Sequence, residues 1–307
     1  MKPAANPVEP TTRKNPDKGG KATNVSENDR ESRRPSRLTE GEMVELASHI
    51  TDRDRRIALD CYEHAVLTTD QIARLHFTNL RIAQVRLQRL YKLRVLERFR
   101  PGPNAGEGSH PYHWILDEAG ALLVADCEGI DRSELRYTRD DGLRLASSRN
   151  LTHHVEANEF LVRLAADANA AGGELTEWYG VRTIAHLFSG AVVPDSWGVL
   201  TMPGAKPLHV LLELDRSTEA SEVLRAKAKR YAEILPHSSL RDLDPVVILA
   251  TPSERRTRAA RAAVANIPAP LSVTTWNSDT QRSVLATVTH CAADARSHLP
   301  QRQEANI

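Results

Sequence analysis

The chain has 307 residues, of which 40% are hydrophobic and 26% are charged, with a formal net charge of +1 at pH 7. This length allows about two domains of roughly 100–200 residues each, and the composition favours a folded globular protein over a disordered chain. Three widely spaced cysteines argue against a disulfide framework and a cysteine-based zinc site, and they fit a reducing cytoplasm. We expect a cytoplasmic protein without a signal peptide or a membrane span, because no apolar run approaches about 18 residues.

The two ends of the chain are polar. Residues 1–40 are rich in Pro, Asn, Ser, Lys and Arg and offer almost nothing to bury, which predicts a disordered basic tail. This tail is either a plain solvated segment or an arm that tethers DNA. A short C-terminal tail is predicted over residues 296–307.

Residues 41–127 carry the pattern of a winged helix-turn-helix domain. Helices are predicted over 53–64, from Asp70 with Thr69 as its cap, and from Asn79. Two strand-like runs follow, VLERFR and YHWILD, which flank a loop rich in Gly, Pro and Asn. Three helices and a hairpin in this order place the third helix in the major groove of DNA and the hairpin tip along the phosphates. A closing helix is predicted at DEAGALLVADC.

The third helix of this domain has two stripes at three- and four-residue spacing. The apolar stripe consists of Leu80, Ala83, Leu87, Leu90 and Leu93. The second stripe consists of Arg81, Gln84, Gln88 and Lys92, with Arg89 beside it. Residues 71–100 hold eight basic residues and one acid, a net charge of +7, which indicates a phosphate-binding surface rather than only a solvated arginine-rich face. We therefore expect contacts with double-stranded DNA from Arg81, Gln84, Gln88, Arg89, Lys92, Arg98 and Arg100.

A polar connection at 128–147 leads to a second predicted domain at 148–295. It begins with a helix, HHVEANEFLVRLAADANAAGG, which is followed by the strands ELTEWYG, AVVPDSWGVLTM and LHVLLELD. A further helix and the strand DPVVILAT complete an α-β-β-β-α-β order. This order predicts a mixed α/β fold with helices on both faces of the sheet.

Three carboxylates lie in the strand-forming part of this domain. If the strands around the turn MPGAKP pair as a hairpin centred on Gly204, Asp195 lies directly opposite Glu213. Glu213 and Asp215 share a face because strand side chains alternate, and Leu208, Val210, Leu212 and Leu214 form the core on the other face. Like charges on one face repel, so the cluster predicts a divalent cation, Mg²⁺ or Mn²⁺, held by Asp195, Glu213 and Asp215.

Further side chains from two helices are expected near this metal. Glu159, or Glu156 one turn away, is expected as a fourth carboxylate from the first helix of the domain. Lys227, on the helix after the strands, would stabilise a developing negative charge. A metal beside a basic groove is the arrangement for phosphodiester hydrolysis, so Asp195, Glu213, Asp215 and Lys227 are the predicted catalytic residues.

These residues resemble two known families. Pro194-Asp195 and Glu213-Leu-Asp215 in an α-β-β-β-α-β frame resemble the restriction-endonuclease-like superfamily and its PD-(D/E)xK signature. The winged-helix segment followed by PDSW, LLELDRSTE and KAKRY resembles more closely the replication-relaxation family of plasmid proteins, over roughly residues 45–250. The resemblance implies a role in plasmid replication and DNA relaxation, and activity as a metal-dependent nickase or endonuclease. It departs at Asp215, where the nuclease signature has lysine, and Lys227 is the candidate to replace that lysine.

One alternative from another functional class stays open. Glu213 and Asp215 would then pair with Arg216, Lys227 or Arg182 and hold no metal. The protein would be a replication or transcription regulator that binds DNA through its winged helix and carries a catalytically inert nuclease-like domain. The oligomeric state is open as well, with a homodimer as one option.

Overall fold

A computed structural model describes residues 38–101, 110–188, 192–217, 219–238, 240–279 and 282–297. Most of each predicted tail and most of the predicted hairpin tip lie outside these residues. The described part contains helices and two sheets, so the fold is mixed α/β. Within this part, no helix combines the length and hydropathy needed to cross a membrane.

The N-terminal unit, residues 38–128, contains five helices and one small sheet in its described part. Its elements in chain order are α1 (Glu40–His49), α2 (Asp52–Glu63), β1 (Leu67–Thr68), α3 (Thr69–His76), α4 (Leu80–Lys92), β2 (Leu96–Phe99), β3 (His113–Leu116) and α5 (Glu118–Glu128). The strands are antiparallel in the order β1-β3-β2. The predicted succession of helices, hairpin and closing helix is therefore present.

Polar caps fix where the helices of this unit begin. The Thr68 side chain accepts a hydrogen bond from the Gln71 backbone N–H, and the Gln71 side chain accepts one from the Thr68 N–H in return. Helix α3 is thus capped by Thr68 and not by Thr69, one residue before the predicted position. Asn79 caps α4, as predicted. Only residues 77–79 separate the two helices, a turn length typical of helix-turn-helix units.

The C-terminal unit, residues 129–297, is built on a five-stranded sheet. Its elements are α6 (Arg139–Arg144), α7 (Leu151–Ala170), β4 (Glu174–Tyr179), α8 (Val181–Leu187), β5 (Ser196–Thr201), β6 (Leu208–Leu214), α9 (Ser221–Ile234), β7 (Val246–Thr251), α10 (Glu254–Val264), β8 (Leu271–Thr275) and α11 (Val284–Ser297). The strand order is β4-β5-β6-β7-β8, with antiparallel pairing up to β6 and parallel pairing beyond it. The predicted α-β-β-β-α-β order is present, with the short α8 inserted between β4 and β5.

The hairpin of β5 and β6 has the predicted register. Ser196 lies opposite Leu212 and Leu200 opposite Leu208, so the hairpin is centred on Gly204. Val210, Leu212 and Leu214 pack on one face against α7 and α11, while Leu211 packs on the other face against α9. The face that carries Glu213 is therefore covered by a helix, and its carboxylate is buried.

The two units contact each other through α7 and β4. Asn158 Nδ2 donates to the carbonyls of His64 and Val66, at 3.2 and 2.7 Å. The rings of His64 and Trp178 stack with their centroids 3.7 Å apart. Gly180 N donates to Glu63 Oε1 at 2.8 Å. These contacts hold the end of α2 against α7 and against the edge strand β4 of the larger sheet.

Gly180→Ala should destabilise the protein by about 1–3 kcal/mol, because a Cβ at this position would lie 2.3 Å from the Glu63 carbonyl oxygen. Gly41→Ala in α1 is the matched control, because no atom lies within 4 Å of its Cβ, so we expect a neutral effect or a gain of up to about 1 kcal/mol. Urea denaturation of both variants measures the difference. Equal stabilities would show that the units are not in close contact at Gly180.

Candidate functional site

Asp195 and Glu213 are neighbours at one end of the β5–β6 hairpin. Asp195 immediately precedes β5, and its backbone N–H donates to the Leu212 carbonyl at 2.8 Å. Its Oδ2 accepts a hydrogen bond from the Leu214 N–H at 2.7 Å. These two contacts extend the hairpin by one residue and orient the Asp195 carboxylate toward the end of β6.

Glu213 is only 4% exposed, and two side chains of α9 bind its two oxygens. Lys227 Nζ lies 2.9 Å from Oε2, and the Tyr231 hydroxyl donates to Oε1 at 2.6 Å. Both reach the same carboxylate because residues four apart lie on one face of a helix. Burial and the neighbouring charge of Asp195 raise the pKa of Glu213 to about 7.

Lys227 and His153 balance the charge of this acid pair. Burial lowers the pKa of Lys227, but Glu213 and Glu219 outweigh burial and hold that pKa above its ordinary value. His153, in the first turn of α7, places Nε2 2.8 Å from Asp195 Oδ1. This hydrogen bond raises the pKa of His153 above its ordinary value in spite of burial. The site therefore consists of two acids, one lysine, one histidine and one tyrosine.

Two of the four predicted metal ligands, Asp215 and Glu159, are engaged away from Asp195 and Glu213. Asp215 is 2% exposed, pairs with Arg256 of α10 and accepts a hydrogen bond from the Ser217 N–H at 2.9 Å. Glu159 pairs with Arg74 of α3 and with Arg163. Asp215 thus pairs with an arginine of another helix, and Glu159 pairs with arginines of α3 and of the next turn of α7. None of these arginines lies at Asp195 and Glu213. Among the described residues, no group of three or more His, Cys, Asp or Glu side chains is placed to hold a metal ion.

The predicted DNA-binding residues divide into free and engaged side chains. Arg81, Gln84, Lys92 and Arg100 are exposed. The engaged side chains make the following contacts: Arg89 pairs with Glu45 of α1 at 2.8 Å, Arg98 donates to Gln88 at 2.9 Å, and the guanidinium of Arg98 lies 4.0 Å from the ring centroid of Tyr112. Arg100 is exposed as well, but its guanidinium lies 3.7 Å from the ring centroid of Tyr112. Of the predicted cations, Arg81 and Lys92 at the two ends of α4 are therefore the most available.

The apolar stripe of α4 is largely confirmed. Ala83, Leu87, Leu90 and Leu93 are buried in the core of the N-terminal unit. Leu80 is 44% exposed, because it occupies the first position of the helix, at the edge of that core. The stripe therefore orients α4 so that its opposite face is free.

A protein-family model described as Replication-relaxation matches residues 60–243. The match covers more than half of the chain and extends from within α2 to the segment before β7. The chain belongs to the replication-relaxation family. No curated protein and no solved structure matches it. The part shared with the family includes α4, Asp195, Glu213, Lys227 and Tyr231, whereas Arg256 lies beyond it.

Asp195→Asn should change stability in a pH-dependent way. The raised pKa of His153 means that its pairing with Asp195 stabilises the fold at low pH and that this contribution is lost as the pH rises through the folded value. The pKa of Glu213 is about 4.5 in the unfolded chain and about 7 in the folded protein. The free energy of unfolding therefore also falls as the pH rises from about 4.5 to about 7. Asp195→Asn removes the stabilising pairing with charged His153. It also removes the repulsion by Asp195 that contributes to the raised pKa of Glu213 and thus to the loss of stability at high pH.

We therefore expect Asp195→Asn to destabilise the protein by about 1 kcal/mol near pH 5.5 and to be neutral or stabilising near pH 8. At the higher pH the asparagine can still accept from the Leu214 N–H and donate to a neutral His153. Urea denaturation at both pH values measures the difference, with Asp126→Asn, at an exposed ion pair with Arg55, as the control. A cost that stays constant or grows with pH would contradict this assignment of charges.

Proposed function

We propose that the protein binds double-stranded plasmid DNA through α4 and the β2–β3 hairpin and cleaves one strand at the acid pair of the C-terminal unit. The cut would serve plasmid replication and relaxation, as membership of the family suggests. We place this activity in the cytoplasm. The observation that carries the proposal is the pair Asp195 and Glu213 with Lys227 Nζ 2.9 Å from Glu213. The buried Glu213, the half-buried Asp195 and the adjacent lysine at the end of a hairpin match the acidic residues of the nuclease signature, with the lysine supplied by α9.

The order of elements supports a winged helix for the N-terminal unit. Helix α2, strand β1, helices α3 and α4, and strands β2 and β3 follow one another, and β1 pairs with β3. In this arrangement the second helix of the helix-turn-helix enters the major groove. The exposed Arg81, Gln84 and Lys92 on α4 supply the polar and charged contacts that such a helix needs.

The frame of the C-terminal unit supports a restriction-endonuclease-like domain. Helix α7, strands β4, β5 and β6, helix α9 and strand β7 follow the expected order, and β6 and β7 are parallel. Lys227 comes from α9 rather than from β6, where Asp215 stands at the signature position. Its ammonium group nevertheless lies 2.9 Å from Glu213 Oε2.

A divalent metal fits the donor set at Asp195 and Glu213. Two carboxylates suffice for Mg²⁺, which usually keeps several waters and takes further ligands from substrate phosphates. Burial and the charge of Asp195 raise the pKa of Glu213 to about 7, and a cation between the two carboxylates would offset the repulsion by Asp195. When bound there, Mg²⁺ or Mn²⁺ supplies Lewis acidity toward a phosphodiester. Asp215 and Glu159 are engaged by arginines and are not needed as ligands in this arrangement.

The chain's own side chains would act around this centre. Lys227 would stabilise the negative charge that develops on the phosphate oxygens. Tyr231 orients Glu213 through its hydroxyl, and His153 orients Asp195 and holds a proton at Nε2 beside it. The helix α9 that carries Lys227 and Tyr231 also covers the acid pair and reduces its contact with water.

Incubation of the protein with supercoiled plasmid tests the proposal. With Mg²⁺ or Mn²⁺ we expect conversion to the open-circular form, and with EDTA we expect none. Agarose gel electrophoresis separates the two forms. Absence of conversion with either metal, in a preparation that binds the plasmid, would refute the nuclease assignment.

A second candidate function is a DNA-binding regulator with an inert nuclease-like domain. It is favoured by the contacts of the acids, because every carboxylate has protein partners. These partners are His153 and Leu214 N for Asp195, Lys227 and Tyr231 for Glu213, and Arg256 and Ser217 N for Asp215. A regulator should show no rise in melting temperature with Mn²⁺, whereas a metal-binding nuclease should be stabilised by it.

Loss of two exposed cations should weaken DNA binding. Arg81→Ala/Lys92→Ala removes two phosphate contacts, so affinity should fall and the slope of log affinity against log salt should decrease in magnitude by about 1.8. Arg255→Ala/Arg258→Ala on α10 removes the same charge from a distant exposed surface and is the control. Fluorescence anisotropy with a labelled duplex at several salt concentrations measures both slopes. Equal slopes for the two variants would exclude α4 as the DNA-binding helix.

A further inference from the structure

Helix α4 carries large apolar side chains on its outward face. Ile82 is 55% exposed and Val85 is 66% exposed, in a helix of thirteen residues whose other face packs in the core. The two residues are three apart and therefore lie side by side. Arg81 and Gln84 adjoin them on the exposed surface. Such a cluster on an exposed helix face indicates a contact surface.

The position of these residues within α4 determines what they can meet. They lie in its first two turns, and α4 is the second helix of the helix-turn-helix. In this motif the N-terminal residues of the second helix contact base edges, while the first helix crosses the backbone. Ile82 and Val85 would thus face the floor of the major groove when Lys92 lies near the phosphates.

We propose that Ile82 and Val85 recognise the C5-methyl groups of thymines in the DNA site of this protein. The thymine methyl is the apolar group that the major groove displays at its base edges, and aliphatic side chains contact it. The inference rests on the proposed DNA binding by α4 and adds a sequence preference to it. Gln84 beside the apolar pair would supply hydrogen bonds to a neighbouring adenine edge.

The charges around the apolar pair favour DNA over a second copy of the chain. Helix α4 contains no acidic residue, and its charged side chains are all cationic. Two copies of this face would bring like charges together, whereas a duplex brings phosphates to them. A face of mixed aliphatic, amide and cationic groups matches the mixture of methyl groups, hydrogen-bonding edges and phosphates in a groove.

A thymine-to-uracil comparison tests the inference, because uracil lacks only the methyl group. The probe is the duplex that the full chain enriches most from a random library, prepared with thymine and, position by position, with uracil. We expect wild type to lose affinity about fourfold for each contacted methyl, the effect of one buried methyl group. Ile82→Ala/Val85→Ala should bind both duplexes equally. Val44→Ala, at a site on α1 that is 67% exposed, should keep the wild-type ratio.

The outcomes separate this inference from the function on which it rests. Sequence-specific binding by wild type without discrimination between thymine and uracil would overturn the inference and leave DNA binding intact. Discrimination that persists in the double variant would also overturn it. A double variant that changes only the sedimentation coefficient would show that the face binds another copy of the chain. Absence of salt-dependent binding to any duplex would refute the proposed DNA-binding function itself.

Discussion

Replacing Arg256 by alanine should lower the free energy of unfolding by about 3–5 kcal/mol. Asp215 is 2% exposed, and the Arg256 guanidinium is the cation paired with it. Arg256 Nη2 also donates to the Glu219 carbonyl at 2.6 Å, which fixes the chain between β6 and α9. Without the arginine, a buried carboxylate loses its counter-charge, and its desolvation is no longer compensated.

Arg255→Ala is the matched control for this prediction. Arg255 is the exposed neighbour on α10, and surface changes of this kind stay within about 0.5 kcal/mol. Asp215→Asn in the Arg256→Ala background should recover part of the loss, because it removes the stranded charge. If Mn²⁺ restored the stability of Arg256→Ala, Asp215 would be a metal ligand after all and its pairing with Arg256 would not be the main reason for its burial.

Patterns with a short repeat allowed correct predictions from the sequence. The turn at Gly204 and the alternation of Val210 and Leu212 determined the register of β5 and β6, because a shift by one residue would expose the core face. The three- and four-residue spacing on α4 predicted which face is buried. The cap at Asn79 was predictable because its side chain bonds within its own helix.

The choice of ionic partners was not predictable from the sequence. Asp215 pairs with an arginine 41 positions later, and Glu159 pairs with Arg74, 85 positions earlier. Such pairs depend on how elements pack, and the sequence offers several arginines near each acid. The pairing of His153 with Asp195 was not predictable either, because it depends on the packing of α7 on the sheet. The packing of α9 similarly turns Tyr231 into a hydrogen-bond donor to Glu213.

Lys227→Met should reduce plasmid nicking by at least about 100-fold, the usual effect of removing one preorganised group that stabilises a developing charge. Its ammonium group is 2.9 Å from Glu213 and 3.0 Å from Glu219, so methionine also removes the cation that favours ionisation of the buried Glu213. Glu213 would then be protonated more readily and would be a poorer ligand for Mg²⁺ or Mn²⁺. DNA affinity should stay near that of wild type, because α4 is unchanged.

Lys229→Met is the matched control, because Lys229 is exposed on the same helix and the substitution removes the same charge. It should nick plasmid at the wild-type rate. Equal activities of the two variants would exclude Lys227 from the reaction, and equal activity of wild type, Lys227→Met and Asp195→Asn would identify a contaminating nuclease. Should Lys227→Met prove unstable by circular dichroism, Tyr231→Phe provides an independent test, since it removes only the hydroxyl that orients Glu213. A loss of nicking in Tyr231→Phe with unchanged DNA affinity would support cleavage at this acid pair, because a purely DNA-binding regulator has no step in which the orientation of Glu213 matters.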